Sequence, residues 1–196
     1  MIKVKESLFE FMLELRSGSY CLKVRPDIIG SEQQFREKLD LSDVNGVLFN
    51  AGLTINNSSQ KIEYDAVLWK EKNICFMEYK DSLSAHKRMK AKRVQQVSDK
   101  SRDIARAFGF LKYDFVVVVN GQPSIDQKSG VRVISLDDLP FFEPDYKCAY
   151  KELDNLDSLI TKYSRDQNPV NPEKDKIVSE LSNLKKIIID SSREQT

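Results

Sequence analysis

Asp65, Glu78 and Lys80 are the residues whose types and spacing do the most chemistry in this chain. They lie in two apolar stretches, Glu63-Tyr64-Asp65-Ala66-Val67-Leu68-Trp69-Lys70 and Ile74-Cys75-Phe76-Met77-Glu78-Tyr79-Lys80-Asp81, which read as adjacent strands joined through Glu71-Lys72-Asn73. Side chains alternate faces along a strand, so Glu78 and Lys80 project from one side and a hairpin brings Asp65 to them. Two carboxylates and an ammonium held together on a sheet make a site for a hard cation beside a proton-transfer group. Mg²⁺ takes oxygen ligands and is usually held by one or two carboxylates plus substrate phosphate oxygens. The chemistry within reach of such a set is metal-assisted phosphodiester hydrolysis.

Elements must exist to position these residues, and the hydrophobic pattern supplies them. A helix is expected over residues 31–39, strands over 46–55, 61–70 and 73–81, a long helix over 84–108 and a strand over 114–119. Gly30-Ser31 reads as the start of the first helix, with Ser31 suited to its N-cap. Phe115 to Val119 is a continuous apolar run, as expected of a strand buried on both faces.

On Asp65 and the Glu78-Tyr79-Lys80 element, the chain resembles the PD-(D/E)xK nuclease superfamily, closest in pattern to the archaeal Holliday junction resolvases. The expected order of elements is that of the superfamily core, and the likeness runs over residues 30–140. It extends through a helix ending in Phe108-Gly109, an apolar strand, and Val131-Arg132-Val133-Ile134-Ser135-Leu136-Asp137-Asp138-Leu139. The resemblance implies an α/β fold with a restriction-endonuclease-like mixed central sheet flanked by helices. It implies a Mg²⁺-dependent endonuclease acting on DNA, of junction-resolving or restriction/defence type, with Mn²⁺ able to substitute.

In such a site Asp65, Glu78 and the backbone carbonyl of Tyr79 would hold the metal. Lys80 would stabilise charge on phosphorus or orient the attacking water. Many superfamily members add a Glu from the first helix. Glu32 is the candidate, because Phe35 and Leu39 follow it on one helical stripe; first-turn capping is its alternative role. Gln96, favoured by counting back from Phe108-Gly109 and by a helical wheel on which it flanks the face of Val97, Ile104 and Phe108, is a further candidate, with a surface glutamine as its alternative. Glu63 shares the parity of Asp65 but reads as a solvated strand end. A non-catalytic nucleic-acid-binding or scaffold protein retaining the same fold is the rival reading, and an RNA endonuclease the third.

Composition bounds the rest. The chain has 196 residues, 40% hydrophobic and 31% charged, and a formal net charge of only +1, so no global field points to nucleic acid. The local distribution does. Between Ala85 and Arg106, Lys87, Arg88, Lys90, Lys92, Arg93, Lys100, Arg102 and Arg106 are opposed only by Asp99 and Asp103. A basic stripe of this kind is the footprint of a phosphate-contacting surface, or else a solvated helix face. The single histidine, His86, excludes a site built on paired histidines, and the chain lacks a phosphate-binding glycine loop.

Three cysteines without a Cys-x-x-Cys pair argue against a disulfide framework or a zinc site. With an amino terminus unlike a secretory signal and no stretch long enough to span a membrane, a cytoplasmic protein is expected. Three regions are expected. Residues 1–29 hold a helix over 5–16 and a short strand from Tyr20, residues 30–140 the nuclease-like core, and residues 141–196 a helical extension. That extension reads as a helix from Tyr146 to Tyr163, a break at the prolines of Asn168-Pro169-Val170-Asn171-Pro172, and a second amphipathic helix carrying Ile177, Leu181, Leu184 and Ile188. The hairpin either packs on its own core or contributes to a homodimer.

Overall fold

A computed structural model describes residues 14–17, 19–24, 30–56, 58–123, 130–165 and 174–194. The elements in chain order begin with β1 (Glu14–Ser17), β2 (Tyr20–Val24), α1 (Gly30–Glu37), β3 (Gly46–Ile55), β4 (Ser58–Lys70) and β5 (Asn73–Lys80). They continue with α2 (Leu83–Arg88), α3 (Ala91–Ala107), β6 (Lys112–Val119), β7 (Arg132–Ser135), β8 (Lys147–Cys148), α4 (Lys151–Arg165) and α5 (Lys174–Glu194). One 3-10 turn, Leu139–Phe141, lies between β7 and β8. The protein is thus α/β with a mixed central sheet. β1 to β5 form an antiparallel meander; β6 joins β5 in parallel, and β7 joins β6 in parallel. The short β8 returns antiparallel to the start of β6.

The parallel join between β5 and β6 requires a crossover, and α2 with α3 supplies it. β6 is buried from Tyr113 to Val119, as its continuous apolar run demands. Two layers of core close the faces of the sheet. Phe76, Tyr64 and Val117 belong to the first, with Val97 and Ile104 of α3 and Phe108 just past its end. Phe35 of α1 belongs to the second, with Met77, Tyr79 and Val118. α3 ends where Gly109 takes φ 73°, and the amides of Gly109 and Phe110 donate back to the carbonyls of Arg106 and Ala105. Among the described residues no helix is long and apolar enough to cross a membrane.

Four expectations change. Residues 14–16, expected as the end of a first helix, lie instead in strand β1, paired Ser17 to Tyr20 with β2; the rest of the expected helix lies outside the described residues. Sheet edge and tertiary anchoring outweigh the local pattern, since Ser17 Oγ donates to the Ala107 carbonyl at the end of α3. The expected long helix is two, because Met89 and Lys90 adopt extended backbone. Leu83 and Met89 both pack on the first core layer. Six residues apart on one straight helix they would diverge by roughly 120°, so the break is what lets both face inward.

The first helix begins at Gly30, so Ser31 is inside it rather than capping it. The helix expected from Tyr146 begins at Lys151, because Lys147 and Cys148 pair with Tyr113 and Lys112 and the Ala149 amide donates to the Leu111 carbonyl. The second helix of the extension is present as α5 and is tied to α4 by a Lys185–Asp157 ion pair of 2.5 Å. The proline-bearing break lies outside the described residues.

Candidate active site

β4 and β5 pair from Lys70↔Asn73 to Ala66↔Met77, and the ladder stops there. β5 continues along β6 as far as Lys80↔Val119. The two strands of the hairpin therefore part at the level of Asp65 and Glu78. A strand amide released from its ladder needs another acceptor. Asp65 Oδ2 provides it, accepting the Tyr79 N–H at 2.5 Å. The same carboxylate is thereby fixed at the mouth of the opening.

Glu78 and Lys80 stand on one face of β5, with an Nζ–Oε1 distance of 2.5 Å and side chains about one-quarter exposed (22% and 25%). Tyr79 points the other way, its ring stacked on Phe35 of α1 at 5.1 Å. That packing holds α1 against the sheet. Phe35 is fully buried, and Glu32, one turn earlier, is only 12% exposed and paired with Arg36 at 3.2 Å. Electrostatics tie the group together. Burial, and then the charge of Glu78, push the Asp65 carboxyl up to about 7; Glu32 adds to the push, while the Tyr79 N–H and Lys80 oppose it. Asp65, Glu78, Lys80 and Glu32 thus share one field.

α2 flanks the opposite side. Burial, and then the nearby Lys80 charge, hold the His86 imidazole below its usual range. The next residues in the chain, Lys87, Arg88, Lys90, Lys92 and Arg93, are all exposed around the α2–α3 junction. Lys87, Arg88, Lys90 and Lys92 make no ion pair among the described residues. Behind the opening, the buried Tyr64 hydroxyl lies 3.0 Å from Ser101 Oγ, which donates to the Val97 carbonyl at 2.9 Å. This link fixes α3 to the strand that carries Asp65.

Not every expected residue joins the group. Gln96 is exposed on α3 beside the buried Val97, and no described contact brings it to the carboxylates. The inward stripe that favours it stops one position short, at Val97. Glu63 is exposed, in keeping with a solvated strand end. His86 and Arg36 are neighbours that residue spacing left unassigned. Their signals are visible only afterwards: a lone histidine six residues past Lys80, and a cation four residues past Glu32.

Among the described residues no cluster of three or more His, Cys, Asp or Glu side chains is arranged to cage an ion. The set still fits a divalent cation of the magnesium kind, which binds through one or two carboxylates and completes its shell with water and substrate oxygens. A half-buried carboxyl pushed up by a second carboxylate is the condition that such a cation relieves.

No family model and no curated protein matches this chain. Among solved structures, the crystal structure of protein VC1899 from Vibrio cholerae is similar, with a TM-score of 0.34 and 12% identity. The match covers 57% of this chain and 29% of that one, so the chain spans under a third of that protein's length. A likeness of that degree carries no argument about fold or activity.

Proposed function

We propose that the protein is a Mg²⁺-dependent endonuclease acting on DNA, with the restriction-endonuclease-like core that the PD-(D/E)xK pattern implies. The observation that carries the reading is the convergence of Asp65, Glu78 and Lys80 where β4 and β5 part, with the Asp65 carboxyl pushed up to about 7 by burial and by Glu78. Asp65 and Glu78 would hold the ion, with the Tyr79 carbonyl the further oxygen that the resemblance implies. The ion, when bound, supplies Lewis-acid polarisation of the phosphate and a more acidic attacking water. Lys80 Nζ stands beside Glu78, placed to bind the scissile phosphate and to offset charge that builds on it. Glu32 adds negative field from the α1 side and helps orient the water.

The exposed cations from Lys87 to Arg93 would hold the phosphate backbone, which positions the duplex without reading its sequence. A duplex has two strands and each chain one such site, so paired cuts require two chains, and twofold symmetry is the commonest arrangement. The α4–α5 hairpin, with Leu159, Leu184 and Ile187 at 40%, 47% and 60% exposure, would contribute to that homodimer. Junction resolution and restriction-type cutting use this chemistry alike.

The test is cleavage by purified protein in Mg²⁺ or Mn²⁺ of a panel holding linear duplex, single strand, four-way junction and RNA. Metal-dependent DNA cleavage that Asp65→Ala and Glu78→Ala each reduce by orders of magnitude, with the fold intact, is the expected result. Binding without cleavage would establish the scaffold reading instead. Preference for the RNA arm would reassign the substrate.

A further inference from the structure

Arg36 is a cation on the inward side of α1, where packing alone would take an aliphatic side chain. Its guanidinium carbon lies 4.8 Å from the centroid of the Phe49 ring, and its Nη2 donates to Glu32 Oε2 at 3.2 Å. Its Nε is buried with no hydrogen-bond partner among the described residues. The Arg36 and Glu32 side chains are only 16% and 12% exposed. On the outer side of the same helix Gln33 and Glu37, also four residues apart, meet at 2.9 Å in the open.

An ion pair withdrawn from water contributes little net stability, and the orphan Nε–H adds a cost of its own. A methionine at position 36 with a neutral residue at 32 would cover Phe49 without either penalty. Stability therefore does not account for the pair, whereas its place does. Phe35 stacks on Tyr79 of β5, and Arg36 lies over Phe49 of β3. Phe49 pairs with Ala66 of β4, and the Tyr79 N–H donates to Asp65 of that same strand. α1 is thus gripped from both neighbours of β4 beside Asp65, with Glu32 one turn before both anchors.

The charge of Glu32 reaches Asp65, as does that of Glu78. Each of these two carboxylates has a cation of its own, Lys80 beside Glu78 and Arg36 beside Glu32. Resting on the nuclease reading, we infer that Arg36 is a positioning residue of the site, holding the Glu32 carboxylate against the sheet so that it is set for the attacking water. Partners that orient a carboxylate of a metal site in this way typically matter by about 10–100-fold in metal affinity or activity.

Arg36→Met keeps a cover on Phe49 and removes the cation, while Arg36→Lys keeps a cation without the planar fork. Each is made alone and together with Glu32→Gln. The measurements are urea unfolding in EDTA, Mn²⁺ affinity by calorimetry, and kcat and KM on the best substrate of the panel. The urea midpoint should fall for Arg36→Met and recover on adding Glu32→Gln, because the unpaired carboxylate is what costs. Mn²⁺ affinity of Arg36→Met should be unchanged or raised, since a positive charge has left the neighbourhood of the ion. Its kcat should be lower by about tenfold or more, with a KM for nucleic acid within a factor of about two. Arg36→Lys should recover part of kcat. With Glu32→Gln already present, Arg36→Met should lower kcat by less than about twofold further, because it acts through Glu32. Wild-type kcat in Arg36→Met, an equal loss with and without Glu32, or a Mn²⁺ affinity that falls along with kcat would each overturn the inference and leave Arg36 as packing on Phe49. Should Arg36→Met not fold, Arg36→Lys with and without Glu32→Gln decides by the same comparison. Wild-type protein that cleaves no arm of the panel in Mn²⁺ would instead refute the nuclease reading, and the role of Arg36 with it.

Discussion

Replacing Asp65 with Asn should stabilise the metal-free protein while removing the proposed nuclease activity, the reverse of what a structural acid would give. Burial and the charge of Glu78 raise the carboxyl from 3.8 to about 7. A folded-state value above the unfolded one means that the folded protein keeps a proton that the unfolded chain has released. The contribution to stability is therefore greatest below about pH 4, falls as pH rises towards 7, and is level above that. A shift of about three units corresponds to a ceiling of about 4 kcal/mol at 1.36 kcal/mol per unit. Relaxation and water at the strand opening reduce it, leaving an expected cost of about 1–3 kcal/mol. The carboxamide of the Asp65→Asn variant would still accept the Tyr79 N–H through its oxygen without carrying charge. In EDTA at pH 8, Asp65→Asn should then melt about 2–10 °C above wild type, and at pH 4 the two should coincide. Millimolar Mg²⁺ should narrow the gap by stabilising the wild type alone. Urea titrations at the two pH values measure the difference directly. A variant less stable than wild type at pH 8, or equally affected at both, would refute the reasoning and make Asp65 a cap for the Tyr79 amide.

Changing Lys87, Arg88 and Lys90 to Glu should weaken DNA binding and lower the log–log salt slope by about one for each phosphate no longer neutralised; an unchanged slope across a salt series would return these residues to a solvated face. Gly46→Ala should destabilise by about 1–3 kcal/mol, because the added Cβ would stand 2.0 Å from Cζ2 of Trp69, and a urea midpoint that does not move would show that the indole yields freely. Leu184→Glu with Ile187→Glu should convert a dimer to a folded monomer that nicks rather than cutting both strands; light scattering of the intact protein as a monomer at tens of micromolar would refute the homodimer.

The strands of the core were legible because their patterns are long and their neighbours agree with them. β3 begins and ends where the hydrophobic pattern over 46–55 places it, and the run Phe115 to Val119 sits in a strand buried from Tyr113 onward. Failures of sequence reasoning fall where one local pattern meets a stronger tertiary demand. Glu14 to Arg16 fall at the end of a helical pattern, but an open strand edge at β2 gives their backbone a ladder. Residues 83–90 have no proline or glycine to announce the break between α2 and α3; the reason for it is the inward packing of Leu83 and Met89, which only the folded sheet defines. Gln96 illustrates the limit of a helical wheel, since one position of rotation separates a buried Val97 from an exposed glutamine.

The candidate site was legible for a different reason. Charged residues lodged in apolar strands conflict with their surroundings, and natural sequences tend to keep such conflicts where function requires them. Asp65, Glu78 and Lys80 announce themselves in that way. What residue types alone do not state is how the sheet makes room for them. A regular hairpin would pair Asp65 with Glu78 and give the Tyr79 amide a carbonyl partner. Instead both strands beside Asp65 turn over, the ladder with β5 ends at Ala66↔Met77, and the carboxylate takes over the Tyr79 N–H. Asn50, opposite Asp65 on β3, takes left-handed backbone at the same level. Residue types thus point to a chemistry, while the parting of β4 and β5, which spacing does not announce, opens the sheet beside them.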